Sequence, residues 1–290
     1  AQYDDVSRYE SPIYQTPHPL PDNPTTVCHL RAAVHIHVDD PEAVEGLASY
    51  LSRIPFEYDL YLSMSEDVYG ACASQRLSGV PNTRSCRTAV IPGDACIAPL
   101  FITFGKEIMG HDLICHVHTG SPSRMGGKGE SSRGLSLQEL TMSGELSAHA
   151  IDLFARHREI GLVYQKPHPG APYWRHTWLS HEGTVRQLLN SMGITGSFPH
   201  YIDLPEGFVF WARVRAVEPL LKAGPFCADC DGARGRLGSD LDQALLRTLI
   251  PVLKSRGMTF AEIDGETRTY RLNSGSKNLR QYWNMNAERL

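Results

Sequence analysis

Short apolar runs rich in β-branched residues alternate along this chain with stretches in which apolar residues recur every three or four positions. That alternation limits the fold more than any composition figure does. A strand followed by a helix buries the helix against the sheet, and repeating the unit gives parallel strands covered on both faces. The first strand is read over 27–38, where Val34, Ile36 and Val38 fall on one side. Asp39-Asp40-Pro41-Glu42 follows, with an acidic cap and a proline for a first helical turn. Val44, Leu47, Ala48, Leu51 and Ile54 then recur at helical spacing. Further strands are read at 58–64, 88–91, 112–118, 160–164 and 208–213, with an edge strand at 260–263. Helices are read at 97–109, 135–142, 145–158, 184–192, 216–223 and 240–255. The expected fold is α/β: a three-layer, mostly parallel sheet in one domain over 26–266. An irregular arm rich in Pro, Tyr and Asp precedes it at 1–25, and a polar tail follows at 267–290.

Composition narrows the function classes. At 290 residues and 41% hydrophobic the chain can bury a sizeable core. A formal net charge of -4 gives no basic field for nucleic acid. No apolar run reaches the roughly 20 residues of a membrane helix. The polar N-terminus lacks the basic and apolar regions of a signal peptide. Seven scattered Cys do not make a disulfide framework, and a reducing cytoplasm is the expected compartment. Cys227-x-x-Cys230 stands alone, whereas a structural zinc needs four ligands.

The chemistry is expected at the end of the 112–118 strand, because ligands of open α/β sheets bind beyond the carboxyl ends of strands. His116 and His118 are two apart and share a face. Thr119 and Gly120 release the chain into a Gly-rich loop carrying Ser121, Ser123, Arg124, Lys128 and Arg133. Such a loop suits a diphosphate through its backbone N–H groups and cations. Many sugar-nucleotide transferases place an acid-x-acid pair here to hold a divalent cation. A His-x-His pair does not favour Mg²⁺, which prefers oxygen ligands, so no cofactor is assigned. Asp229, after the late strand and helix, is a candidate general base for an acceptor hydroxyl. Ser239 or Asp240 reads as a helix cap.

Several runs occur in a characteristic order: Ala33-Val34-His35-Ile36-His37-Val38, Phe56 to Ser63, Asp112 to Thr119, Gly161-Leu162-Val163, Glu206 to Arg213 and Val217 to Leu221. In order and spacing, over roughly residues 30 to 250, they resemble the rhamnan synthesis protein F family. The resemblance implies a glycosyltransferase A-like domain acting in bacterial surface polysaccharide or O-antigen assembly. It implies a nucleotide-sugar donor (of rhamnose or a related deoxysugar), a lipid-linked glycan acceptor and other polysaccharide-synthesis enzymes as partners. The implied place is cytoplasmic or peripheral at the inner face of the membrane. His118, Thr119, Phe210, Trp211, Arg213 and Asp229 match the family pattern.

On this reading His118 and Asp229 are catalytic. Asp94, His116, His118, Thr119, Gly120, Ser121 and Arg213 meet the donor, while Trp174, Trp178 and Trp211 meet the acceptor. The family's basic run before the helix that precedes the His-Thr strand is replaced here by Pro92-Gly93-Asp94-Ala95-Cys96. That replacement motivates an alternative: a catalytically inactive glycan-binding or assembly module of a polysaccharide-synthesis protein.

Overall fold

Two-residue alternation within the strands sends one set of side chains to each face of a single sheet, and helices cover both faces. The computed structural model describes residues 17–24, 29–65, 68–69, 73–91, 95–119, 146–166, 176–196, 202–230 and 239–273. Strands β1 His18–Pro19, β2 Ala32–Val38, β3 Tyr58–Met64, β4 Thr83–Val90, β5 Leu113–His118, β6 Ile160–Gln165, β7 Phe210–Arg213, β8 Thr259–Asp264 and β9 Thr269–Asn273 lie in the order β1-β9-β8-β6-β7-β5-β2-β3-β4.

The class is α/β as expected, but the sheet is mixed rather than mostly parallel. β4, β3, β2 and β5 form a parallel half. β7 is antiparallel to both β5 and β6, β6 is parallel to β8, and β9 is antiparallel to β8 and β1. Four of the eight pairings are therefore antiparallel, which removes the simple repeated strand–helix–strand picture. The reversal at β7 has a local cause. The chain reaches it through the 3-10 turn Glu206–Phe208, whose Gly207 carbonyl meets His118 at the carboxyl edge of β5, so the next strand must run back down the sheet.

The helices are α1 Val44–Ser52, α2 Ala73–Ser78, α3 Ala98–Ile102, α4 Gly105–Ile108, α5 at 146–156, α6 Glu182–Ser191, α7 Val214–Cys230 and α8 Ser239–Ser255. On one face Val34, Ile36, Leu60 and Leu62 pack against α1, α2 and α5 through Leu47, Leu51, Leu77, Ile151 and Phe154. On the other, Ile114, Leu162 and Phe210 pack under α3, α4, α6, α7 and α8 through Phe101, Ile108, Leu188, Leu220 and Leu249.

Asp242, in the first turn of α8, accepts from the N–H groups of Cys96 (2.5 Å), Ile97 (3.0 Å) and Ala98 (2.8 Å). It thus satisfies the open N-terminus of α3 from another helix. Burial pushes its carboxyl up to about 6 against the pull of those three donors.

Several element boundaries differ from the sequence reading. The helix expected over 97–109 is two short helices, and that expected to end near 223 continues to Cys230. The strand expected at an edge, 260–263, lies inside the sheet between β6 and β9. The segment expected as a polar tail begins with β9. The helix expected at 135–142 lies outside the described residues. No helix among the described residues is long and apolar enough to cross a membrane.

Candidate active site

The strand order reverses between β2 and β5. From β2 the chain proceeds outward to β3 and β4, then returns to place β5 on the other side of β2. Loops diverge at such a point, and the crevice beyond the carboxyl ends of the two strands is where open α/β sheets bind ligands. Both strands carry His-x-His at that end. The register sets His35 opposite His116 and His37 opposite His118, while Ser63 of β3 sits beside His37. All five side chains therefore point to one face.

The imidazoles are packed against one another rather than dispersed. His35 and His116 stack at 5.0 Å with an interplanar angle of 14°, and His116 and His118 at 6.3 Å and 7°. Their Nδ1 atoms, in His35 and His116, are 2.8 Å apart. Ser63 Oγ lies 3.0 Å from His35 Nε2 and 2.8 Å from His37 Nδ1. The His37 Nε2–H donates to Asp39 Oδ1 across 2.8 Å. Burial, with the neighbouring imidazoles adding to it, holds His35 and His116 well below the ordinary imidazole range, so both are neutral.

At the rim the backbone N–H of Asp39 donates to Thr119 Oγ1 (2.8 Å), and Thr119 N–H donates to the His37 carbonyl (3.1 Å). These bonds tie the two strand ends together. The His118 Nε2–H donates to the Gly207 carbonyl (2.9 Å), and Phe208 packs edge-on against the His118 ring. Gly207 and Phe208 both have positive φ, at 71° and 58°. For a bulky residue such as Phe208 that backbone is strained, and it is held where the turn meets the site.

The structure brings together His116, His118 and Thr119 of the expected site residues. It also adds His35, His37, Ser63 and Asp39, which the sequence reading passed over. The available signal was the second His-x-His, at 35–37, on the strand side opposite Val34, Ile36 and Val38. Asp39 was read only as a cap. That task falls to Asp40, whose side chain accepts from Glu42 N–H at 2.9 Å.

Other expected residues lie elsewhere. Arg213 is at the far end of β5, opposite Leu113, and its guanidinium donates to the carbonyls of Ile160, Phe154 and His157. Trp211 is opposite Cys115 and so on the other face; its indole N–H donates to Ser147 Oγ and its ring meets Phe56. Trp178 is buried in the core under the helices. Asp94, Gly120, Ser121 and Trp174 lie outside the described residues. So do Ser123, Arg124, Lys128 and Arg133 of the Gly-rich loop.

Asp229 is in the last turn of α7. That helix starts at the amino edge, where Ala216 meets Gly161, and passes α3 at Gly224. Its 17 residues span about 25 Å, enough to return the backbone to the carboxyl edge.

No group of three or more His, Cys, Asp or Glu among the described residues is placed to hold a metal ion. The imidazole nitrogens that face one another are engaged in hydrogen bonds instead. A separate hollow at the carboxyl ends of β6 and β8, on the α5 side, is lined by Leu20, Leu146, His149, Gln165 and Ile263.

The model of the family described as rhamnan synthesis protein F matches residues 11–226, more than half of the chain. No curated protein matches the chain.

Proposed function

The chain belongs to the rhamnan synthesis protein F family and so takes part in polysaccharide synthesis; within that role we propose that it is a glycosyltransferase. The donor is a nucleotide sugar, of rhamnose or a related deoxysugar, and the acceptor is a growing, lipid-linked surface glycan made with other polysaccharide-synthesis enzymes. The observation that carries this reading is the polar patch at the β2/β5 switch point, rimmed by Asp39, Thr119 and His118. A crevice there is the expected seat of a nucleotide diphosphate.

The finer fold assignment, glycosyltransferase A-like, goes with this proposal. It is supported by the all-parallel β4-β3-β2-β5 half and its switch point. Thr119 and the start of the Gly-rich loop, Gly120 and Ser121, would meet the diphosphate. Asp94 would contact the donor ribose or sugar, and Asp229 would take the acceptor proton. The activity is placed in the cytoplasm or at the inner face of the membrane.

The test is calorimetry across a panel of nucleoside diphosphate sugars, with and without divalent metal. His118→Ala and Thr119→Ala are each expected to weaken donor binding about tenfold, the equivalent of one hydrogen bond to a charged group. No binding of any donor by the parent protein, under either metal condition, would overturn the reading.

Two observations favour a second reading, a glycan-binding or assembly module without turnover. The segment Pro92-Gly93-Asp94-Ala95-Cys96 has no cation, and burial keeps His35 and His116 uncharged. On that reading a glycan array gives binding while the nucleotide-sugar panel gives none.

A further inference from the structure

Buried polar atoms are nearly always paired, yet His116, which is fully buried, has at Nε2 no hydrogen-bond partner among the described residues. The hydrogen bonds of the rest of the histidine patch fix which ring nitrogen of His116 carries the hydrogen. An ionised carboxylate only accepts hydrogen bonds, so His37 Nε2 carries the hydrogen that points to Asp39. A neutral imidazole carries one ring hydrogen, which leaves His37 Nδ1 as a lone pair. It takes the Ser63 hydroxyl hydrogen. Ser63 Oγ then accepts from His35 Nε2–H. His35 Nδ1 is in turn a lone pair. Two nitrogens 2.8 Å apart need one hydrogen between them, so His116 Nδ1–H supplies it. His116 Nε2 is left as a lone pair, unpaired among the described residues, at the end of a chain in which every donor points toward Asp39.

We propose that His116, His35, Ser63, His37 and Asp39 form a proton relay across β5, β2 and β3, with His116 Nε2 as its proton-accepting end. One proton bonds to His116 Nε2, and three hydrogens shift by one step. His116 releases its Nδ1 hydrogen to His35 Nδ1, and His35 releases its Nε2 hydrogen to Ser63 Oγ. Ser63 passes its own hydrogen to His37 Nδ1. The gain is one proton and one positive charge, which comes to rest on His37 beside the Asp39 carboxylate.

This resolves the difficulty of a base in the core. A charge on His116 or His35 is opposed by burial and by the neighbouring imidazoles. The relay moves it to His37, whose side chain is only 3% exposed but is paired with the Asp39 carboxylate, 11% exposed at the rim. Four titratable groups face the chain or extend it: His37 on β2, Asp39 just beyond it, Tyr61 on β3 and His118 on β5. Phe104 and Phe210 close it from the helix side and from β7. The relay stands whatever ligand the cleft holds.

The test reads histidine tautomers by long-range ¹H–¹⁵N correlation in the ¹⁵N-labelled protein through an acid titration. At neutral pH His116 is expected to carry its hydrogen on Nδ1, and His35 and His37 on Nε2. On acidification His35 and His116 switch tautomer with the same midpoint at which His37 becomes doubly protonated. In Ser63→Ala, His37 still titrates but the other two rings no longer follow it. The proposal is overturned if His116 of the parent protein carries its hydrogen on Nε2 at neutral pH. It is also overturned if the three rings titrate independently there, or if coupling persists in Ser63→Ala. The first two readings need no variant, so they stand even if Ser63→Ala does not fold.

Discussion

At Asp59, the second residue of β3, three donors converge on one carboxylate. The Arg84 guanidinium pairs with it, the Ser85 hydroxyl donates at 2.6 Å and the His111 Nε2–H at 2.8 Å. The Arg84 hydrogen bond, aided by Ser85 and His111, outweighs burial and holds the carboxyl well below the usual carboxylate range. A lowered carboxyl stabilises the fold fully above its unfolded value, near 4, and that contribution is lost as pH falls toward the folded value. Asp59→Asn is therefore expected to cost about 2 kcal/mol at pH 7 and less as the pH drops below 4. Urea unfolding at pH 7 and pH 3 measures both; an equal cost at the two values would show that the charge plays no part. The residue scale also shows what sequence reading reached and what it missed. His116 and His118 were visible as a pair on one strand. That His35 and His37 complete the patch depends on β2 and β5 being neighbours in register, and no local pattern states that.

At the scale of elements, the close contact of α7 with α3 and α4 determines where the chain after β7 goes. A Cβ built on Gly224 would overlap the Phe101 carbonyl of α3, and one on Gly105 would come within 3.2 Å of the Leu221 carbonyl. These two glycines let helix backbones touch and set the path by which α7 returns to the carboxyl edge. Gly224→Ala is expected to destabilise by about 1–3 kcal/mol through overpacking. By shifting the end of α7 it should also lower the proposed transfer activity beyond the loss explained by unfolding. Thermal melts beside rate measurements test this, and a neutral effect on both would mean that the helices are free to part. β4 was legible only in part. Only its apolar end, 88–91, was read, because the Thr83-Arg84-Ser85-Cys86-Arg87 portion is polar and largely exposed at the sheet's edge. Edge strands need no apolar face on both sides, so hydrophobic periodicity does not mark them. β9, which lies between β8 and the two-residue β1, escaped because it is polar and only half-buried.

For the whole molecule, the alternation of strand and helix patterns was enough to give an α/β sheet covered on both faces. It was not enough to give direction. β7 is four residues long and fully buried, and its sequence reads the same whether it runs with its neighbours or against them. What turns it is the preceding turn, whose Gly207 and Phe208 adopt left-handed backbone beside His118. The same turn meets His118 beside the β2/β5 switch point, so the feature that sequence periodicity could not reveal also borders the proposed donor site. That the crevice at the carboxyl ends of β2 and β5 holds a nucleotide-sugar donor is tested most directly by a crystal structure soaked with a nucleoside diphosphate sugar. The predicted result is a diphosphate at the rim, within hydrogen-bonding distance of Thr119 and next to His118. Density for the nucleotide anywhere else on the molecule, or none at a saturating concentration, would contradict it.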